Sequence, residues 1–337
     1  MHVKRVFGVA LATGAVLIPS VACSSSDEPT RERPQAVSES QASVEPTPEP
    51  SHPFTGQPVA SRRPVLAVKI ENTSAGKPQM GLRSADIVYV EQVEGGLTRL
   101  MAIFSSKIPA KVGPVRSARI SDLHILPQFG RPALAYSGVQ SKMIPFVRKA
   151  PLIDVSDSAV PAAYFRQSGR VAPYNLFATT KRLLAKARGA SKAKDIGFTF
   201  GDAPEGGVAR KSYSVRYPAA RFTFRWSATQ RRWLVWQDGV KDVAAEGGQQ
   251  GAPTVVVQYV KTTRSQFHDF TGSYTPLVGT VGKGKAIVLR DGKAYQARWS
   301  RGSEEEGTVY TTLSGDPMPF SEGQVWVVLA SRKPVQP

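Results

Sequence analysis

Asp86-Ile87-Val88-Tyr89-Val90-Glu91 and Leu97-Thr98-Arg99-Leu100-Met101-Ala102-Ile103-Phe104 flank Glu94-Gly95-Gly96, and the simplest reading is a β-hairpin closed by a glycine turn. Upstream, Val65-Leu66-Ala67-Val68-Lys69-Ile70 is a third β-rich run suited to a buried strand. It follows Arg62-Arg63-Pro64 and precedes an Asn72-Thr73-Ser74-Ala75-Gly76 turn, so the globular part is expected to begin near residue 61.

Downstream, Ser117 to Leu126 carries apolar positions at Ile120, Leu123 and Leu126 and stops at Pro127, which predicts a helix. Thr179 to Arg188 is rich in Lys, Leu and Ala and ends at Gly189, which predicts another. Between them Ala133-Leu134-Ala135-Tyr136 and Leu152-Ile153-Asp154-Val155 read as short strands. From about residue 206 the pattern turns all-β, with runs at 222–226, 233–236, 254–259, 286–289 and 325–328 and turns at Asp238-Gly239 and Asp291-Gly292. Alternation accounts for the tryptophans of this half as core or sheet-face residues. The expectation is an α+β chain: a mixed α/β domain over 61–205 followed by a smaller β-rich domain over 206–337.

The first 22 residues have a different character. Lys4-Arg5 precedes an uncharged stretch from Val6 to Ala22, the pattern of a secretory signal. With Pro19 and Ser20 inside 17 residues it makes a poor membrane span. Ser20-Val21-Ala22-Cys23, followed by Ser24-Ser25-Ser26, resembles a bacterial lipobox. That motif predicts acylation of Cys23, and two acyl chains give stable anchoring where one does not. The expected address is the extracytoplasmic face of the bacterial cytoplasmic membrane; the alternative is a secreted protein with a free thiol. Residues 23–60 hold Ser, Pro, Glu and Gln in abundance and read as a disordered tether with a reach of roughly 35 Å.

The chain has 337 residues, 44 Lys+Arg, 26 Asp+Glu and a formal net charge of +18. Residues 1–22 carry +2 and residues 24–60 carry −4, so +20 belongs to residues 61–337. A single cysteine excludes disulfide frameworks, Cys-rich zinc sites and CxxC redox motifs, each of which needs two thiols. No HExxH, GxSxG, Walker, dinucleotide-binding or EF-hand pattern is present. His124 and His268 have no partner at metal-ligand spacing, so neither a metal nor another cofactor is expected. Ser74-Ala75-Gly76-Lys77 matches SxxK, but Gly76 and Pro78 break the helix that the chemistry requires.

Gly113-Pro114-Val115-Arg116-Ser117-Ala118-Arg119 is more informative. It places two arginines three residues apart at a predicted helix entry, where guanidinium forks and free N–H groups suit phosphate or carboxylate. Arg116 and Arg119, with Asn72 and Asn175, form the candidate anion-binding set. The structural alternative pairs the arginines with Asp86, Glu91 or Glu94 in a buried network, in which Arg99 also belongs.

Val68-Lys69-Ile70-Glu71-Asn72, Lys77-Pro78-Gln79-Met80-Gly81-Leu82, Ala85-Asp86-Ile87-Val88-Tyr89, Glu94-Gly95-Gly96-Leu97-Thr98-Arg99 and Gly113 to Arg119 together resemble the YerB-like family of bacterial lipoproteins. Arg170 to Phe177 and Gly323 to Val327 resemble its later segments. The resemblance implies an N-terminal α/β domain, a smaller β-rich domain and a lipid anchor, and supplies no activity. The family pattern has His where this chain has Tyr174, and more His and Gly than Ser137-Gly138-Val139-Gln140.

The expected function is a membrane-anchored lipoprotein that binds an anionic envelope component: a wall polymer, a peptidoglycan fragment or a phosphate group. One alternative is an envelope hydrolase using Asp86, Glu91 or Glu94 as acid or base with arginine stabilising negative charge. Another is a scaffold for wall-synthesis proteins. Nucleic acid is not an expected partner, because the signal directs the domain outward.

Overall fold

The computed structural model describes residues 51–58, 63–269 and 271–331; the expected signal segment, Cys23 and the tether up to residue 50 lie outside these. Strands from both sides of residue 205 share one sheet, of 12 strands among the described residues. From one edge the order runs Val309–Thr311, Lys293–Arg301, Gly282–Arg290, Thr254–His268, Val325–Ser331, Ile87–Gln92, Thr98–Phe104, Leu66–Ile70, Ala133–Ala135, Ile153–Asp154. The hairpin forms as its sequence predicts, antiparallel with Glu91 opposite Arg99.

Val325–Ser331 joins the halves. It lies parallel to both neighbours, with Val327 opposite Tyr89 on one side and Val328 opposite Val257 on the other. Its six residues Val325 to Ala330 are all buried because both faces of the sheet are covered, which is why the run is apolar throughout. On one face Tyr89, Met101, Ile103 and Val327 pack with Ile120, Leu123 and Ile125. On the other, Val88, Leu100, Trp326 and Val328 pack with Phe222, Phe224 and Trp233 of a second, five-stranded sheet.

Helix is scarcer than the sequence suggests, at 14% of the described residues against 44% strand. Ile120–Ile125 is helical and continues as a 3-10 turn over Leu126–Phe129, but residues 117–119 are not part of it. The backbone before Arg119 is drawn out instead against the end of Leu66–Ile70: Arg116 N–H donates to Lys69 O at 2.9 Å, and Glu71 N–H to Pro114 O at 2.9 Å. The second predicted helix is present as Thr180–Lys186. Asp238-Gly239 and Asp291-Gly292 close two-residue turns with all four φ values positive, the conformation in which glycine is favoured at the second position.

The tether does not extend to residue 60 as composition indicated. Ser51 bridges Pro58, and Phe54 is fully buried, its ring edge-on to His52 at 5.3 Å and to Phe129 at 5.4 Å. His52, placed in the tether by composition, is buried with it. Average polarity hid one aromatic that finds a core pocket. Phe54→Ala is expected to lower unfolding free energy by about 3 kcal/mol in urea titrations, whereas a true tether residue would leave it unchanged.

Candidate functional site

Ile70 pairs with Leu100, so the next residue, Glu71, comes alongside Arg99 from one side while Glu91 faces it from the other. Side chains two apart in a strand share a face, which puts Lys69 beside Glu71. Lys69 Nζ lies 3.0 Å from Glu91 Oε1 and 2.6 Å from Asp122 Oδ1, the latter reaching down from the short helix. None of the three side chains is more than 1% exposed. Burial works against the Lys69 charge, but the Asp122 carboxylate, joined by Glu91 where that group is ionised, overcomes it and holds its pKa above the usual lysine value. Burial, and then the neighbouring Asp122 charge, push Glu91 up to about 8, so it keeps a proton at neutral pH.

Above this triad lies a layer of arginines. Glu71 Oε2 accepts from Arg99 Nη1 at 3.1 Å and from Arg116 Nε at 2.8 Å, while its Oε1 accepts the N–H groups of Asn72 and Thr73. Burial opposes ionisation of Glu71, yet Arg99, the Thr73 N–H and Arg116 outweigh it and depress its pKa. Glu94 takes Arg119 Nε at 2.7 and 2.8 Å and the Thr275 hydroxyl. Burial is again outweighed, here by Arg119 and Thr275, and Glu94 stays ionised. Arg99 is brought down to about 10 by burial, with Glu71 opposing and Arg116 and Arg119 adding to the fall, and remains a cation.

Three guanidiniums therefore face two ionised carboxylates. Arg116 and Arg119 are the outer pair, with side chains 19% and 16% exposed. Both Nη atoms of Arg116 and Nη2 of Arg119 have no hydrogen-bond partner among the described residues. The Arg116 guanidinium lies 5.4 Å from the Tyr174 ring, a cation–π contact that steadies it. Arg116 is aimed by its backbone: Gly113, at φ +148°, passes so close to Phe177 that a Cβ would sit 2.8 Å from the ring. A cavity of about 490 Å³ opens beside Arg119, with Glu94, Gln140, Lys142, His268 and Thr275 in its wall.

Of the candidates from sequence, Arg116, Arg119, Glu94, Arg99 and Glu91 come together. The others do not join them. Asn72 donates to Thr98 Oγ1 at 2.7 Å and faces a separate recess of about 360 Å³. Asn175 accepts from Arg166 at 2.7 Å and donates to Arg170 O at 3.1 Å, which ties its own loop. Asp86 stands at the other end of Ile87–Gln92, about 16 Å from Glu91 at strand spacing. It accepts the Ser105 and Ser106 N–H groups, and burial raises it to about 6 against those bonds. Sequence reasoning missed Lys69, Glu71 and Asp122. The available signal was Lys69, the one charge in an otherwise apolar run, since a buried lysine requires buried acids.

The SxxK match is a single 3-10 turn at Ser74–Gly76, and Lys77 pairs with the buried Asp242 at 3.2 Å. His124 is paired with Glu304, and the His268 ring contacts Asp269 O at 3.0 Å. Among the described residues no helix is long and apolar enough to cross a membrane.

Residues 54–194 match a family model described as "Protein of unknown function (DUF3048) N-terminal domain", and residues 213–327 match its C-terminal domain. The chain belongs to the DUF3048 family. A curated relative of this DUF3048 chain is "Putative lipoprotein YerB" of Bacillus subtilis (strain 168), 52% identical over 71 residues. That stretch is 20% of this chain and 21% of the relative, so the match spans about a fifth of the relative's length. The crystal structure of YerB protein from Bacillus subtilis superposes with a TM-score of 0.70 at 21% identity, covering 83% of this chain and 96% of that one. The DUF3048 fold is thus shared along nearly the whole of that structure.

Proposed function

We propose that the protein is a lipid-anchored extracytoplasmic protein that binds an anionic group of a cell-envelope component at Arg116 and Arg119. The observation that carries this reading is the charge balance of the cluster: Arg99, Arg116 and Arg119 share two carboxylates, and the unpaired edges belong to the two exposed arginines. One oxyanion would complete the set with charge-assisted bonds from preformed forks. The surrounding chain, at +18, draws polyanions toward the cleft. The relative's name supports acylation of Cys23 and the outward-facing address. Glu91 and Asp122 are enclosed with Lys69, so they serve the architecture rather than acid–base work on a bound substrate.

The test is retention of the full chain on isolated cell walls, with and without their anionic polymers, across a salt series. Wild type is expected to stay bound at salt concentrations that release Arg116→Ala/Arg119→Ala, and only on walls that keep the polymers. Equal elution of both proteins as salt rises would overturn the reading. Because removing the arginines takes one of two cations from Glu71 and leaves Glu94 with none, circular dichroism of each variant, and Arg119→Gln/Glu94→Gln as a neutral replacement, separate lost binding from lost folding.

A further inference from the structure

A polar cleft of about 740 Å³ opens at the opposite end of the hairpin strand, where Asp86 lies. Arg83 and Arg232 both line it, and neither has a carboxylate within ion-pair distance among the described residues. Main-chain carbonyls hold them instead: Arg83 Nη1 donates to Gly247 O at 2.7 Å, and Arg232 Nη2 donates to Gly251 O. Carbonyls aim a guanidinium without cancelling its charge. Arg232 Nε is buried with no acceptor, a state that costs free energy in the unliganded protein. Burial, and then the positive charge of Arg83, depress the Arg232 pKa, so the two cations feel one another.

The acids of the cleft offset them only in part. Asp291 is committed to Arg290 at 2.9 Å, and Asp86 to the Ser105 and Ser106 N–H groups. Hydrogen bonds leave the Asp86 charge in place as they leave those of the arginines, so Arg83, Lys107, Arg231 and Arg232 stand against Asp86, Asp202 and Glu322, an excess of one positive charge. Two guanidinium forks without a paired carboxylate offer more donors than the two oxygens of a carboxylate use, and a phosphate-type group brings a third oxygen.

We propose that this cleft is a second anion site, in which Arg83 and Arg232 grip a phosphate-type anion carried by a larger molecule that fills the rest of the space. It is separate from the Arg116/Arg119 cleft and stands without it.

The probe is pyrophosphate, titrated by calorimetry into the full chain in detergent at fixed ionic strength. Binding is expected, with Arg83→Gln/Arg232→Gln weakening it by about tenfold or more and Arg116→Ala/Arg119→Ala changing it less than about twofold. Acetate at matched ionic strength should show no saturable binding. The proposal is overturned by unchanged pyrophosphate affinity in Arg83→Gln/Arg232→Gln, or by acetate binding equally well. Loss confined to Arg116→Ala/Arg119→Ala would also overturn it, while leaving the proposed function intact. Arg83→Gln alone, at an exposed side chain, should still weaken binding severalfold, and it carries the test if the double variant does not fold.

Discussion

Lys69→Met is expected to destabilise the fold by about 3–5 kcal/mol in urea titrations at pH 7, the cost of breaking a buried ionic group by removing one partner. Methionine fills the space but leaves the Asp122 carboxylate buried beside Glu91 with no cation to pair it. Glu91→Gln should cost far less, since Glu91 already carries a proton at neutral pH. A loss below about 1 kcal/mol for Lys69→Met would show that the pair is hydrated rather than buried. The same group sets a pH dependence. The Glu91 carboxyl titrates near 8 in the folded chain and near its ordinary 4.5 when unfolded, so between those values the folded state holds the extra proton. Stability therefore falls as pH rises through that window. Glu91→Gln removes the slope, and comparing melting temperatures of wild type and variant from pH 5 to 8 checks it.

Trp326→Ala is expected to cost a further large sum, about 3–5 kcal/mol, because the cavity it leaves lies where both halves of the chain meet. Trp326 is fully buried, with ring centroids 6.4 Å from Phe222 and 6.1 Å from Phe224 of the second sheet. Its strand has partners on both edges, so the neighbours cannot close over the gap. Its indole N–H donates to Gln324 Oε1 at 3.0 Å, and that bond is lost too. Val309→Ala, at an exposed edge position, should change stability by less than about 0.5 kcal/mol. Equal effects in the two variants, measured side by side in urea, would mean that the seam strand does not join the halves energetically.

Much of the local structure was legible because local patterns set it. The hairpin at 86–104, the strand at 66–70, the two Asp-Gly turns and the C-terminal strand runs follow from apolar runs and turn residues that act over a few positions. The pairing of Arg119 with Glu94 was also within reach, as a structural alternative to anion binding. The short helix was misjudged at its start because residues 114–116 pair with a neighbouring strand and residues 117–119 follow them non-helically, with Ala118 N–H donating to Gly138 O at 3.1 Å. Tertiary pairing overrode a weak local preference.

The sequence by itself determined the strand content, the basic character, the lack of familiar catalytic motifs and the arginine pair at 116 and 119, because composition and short periods encode these directly. Only the tertiary structure decided which charges meet. Lys69, Glu91 and Asp122 stand 22 and 31 residues apart in the chain and share one buried point. Arg83 and Arg232, 149 residues apart, share one cleft. No local pattern carries such pairings; strand order and register do, and these emerge when the C-terminal strand inserts between the two halves and buries both faces of the sheet.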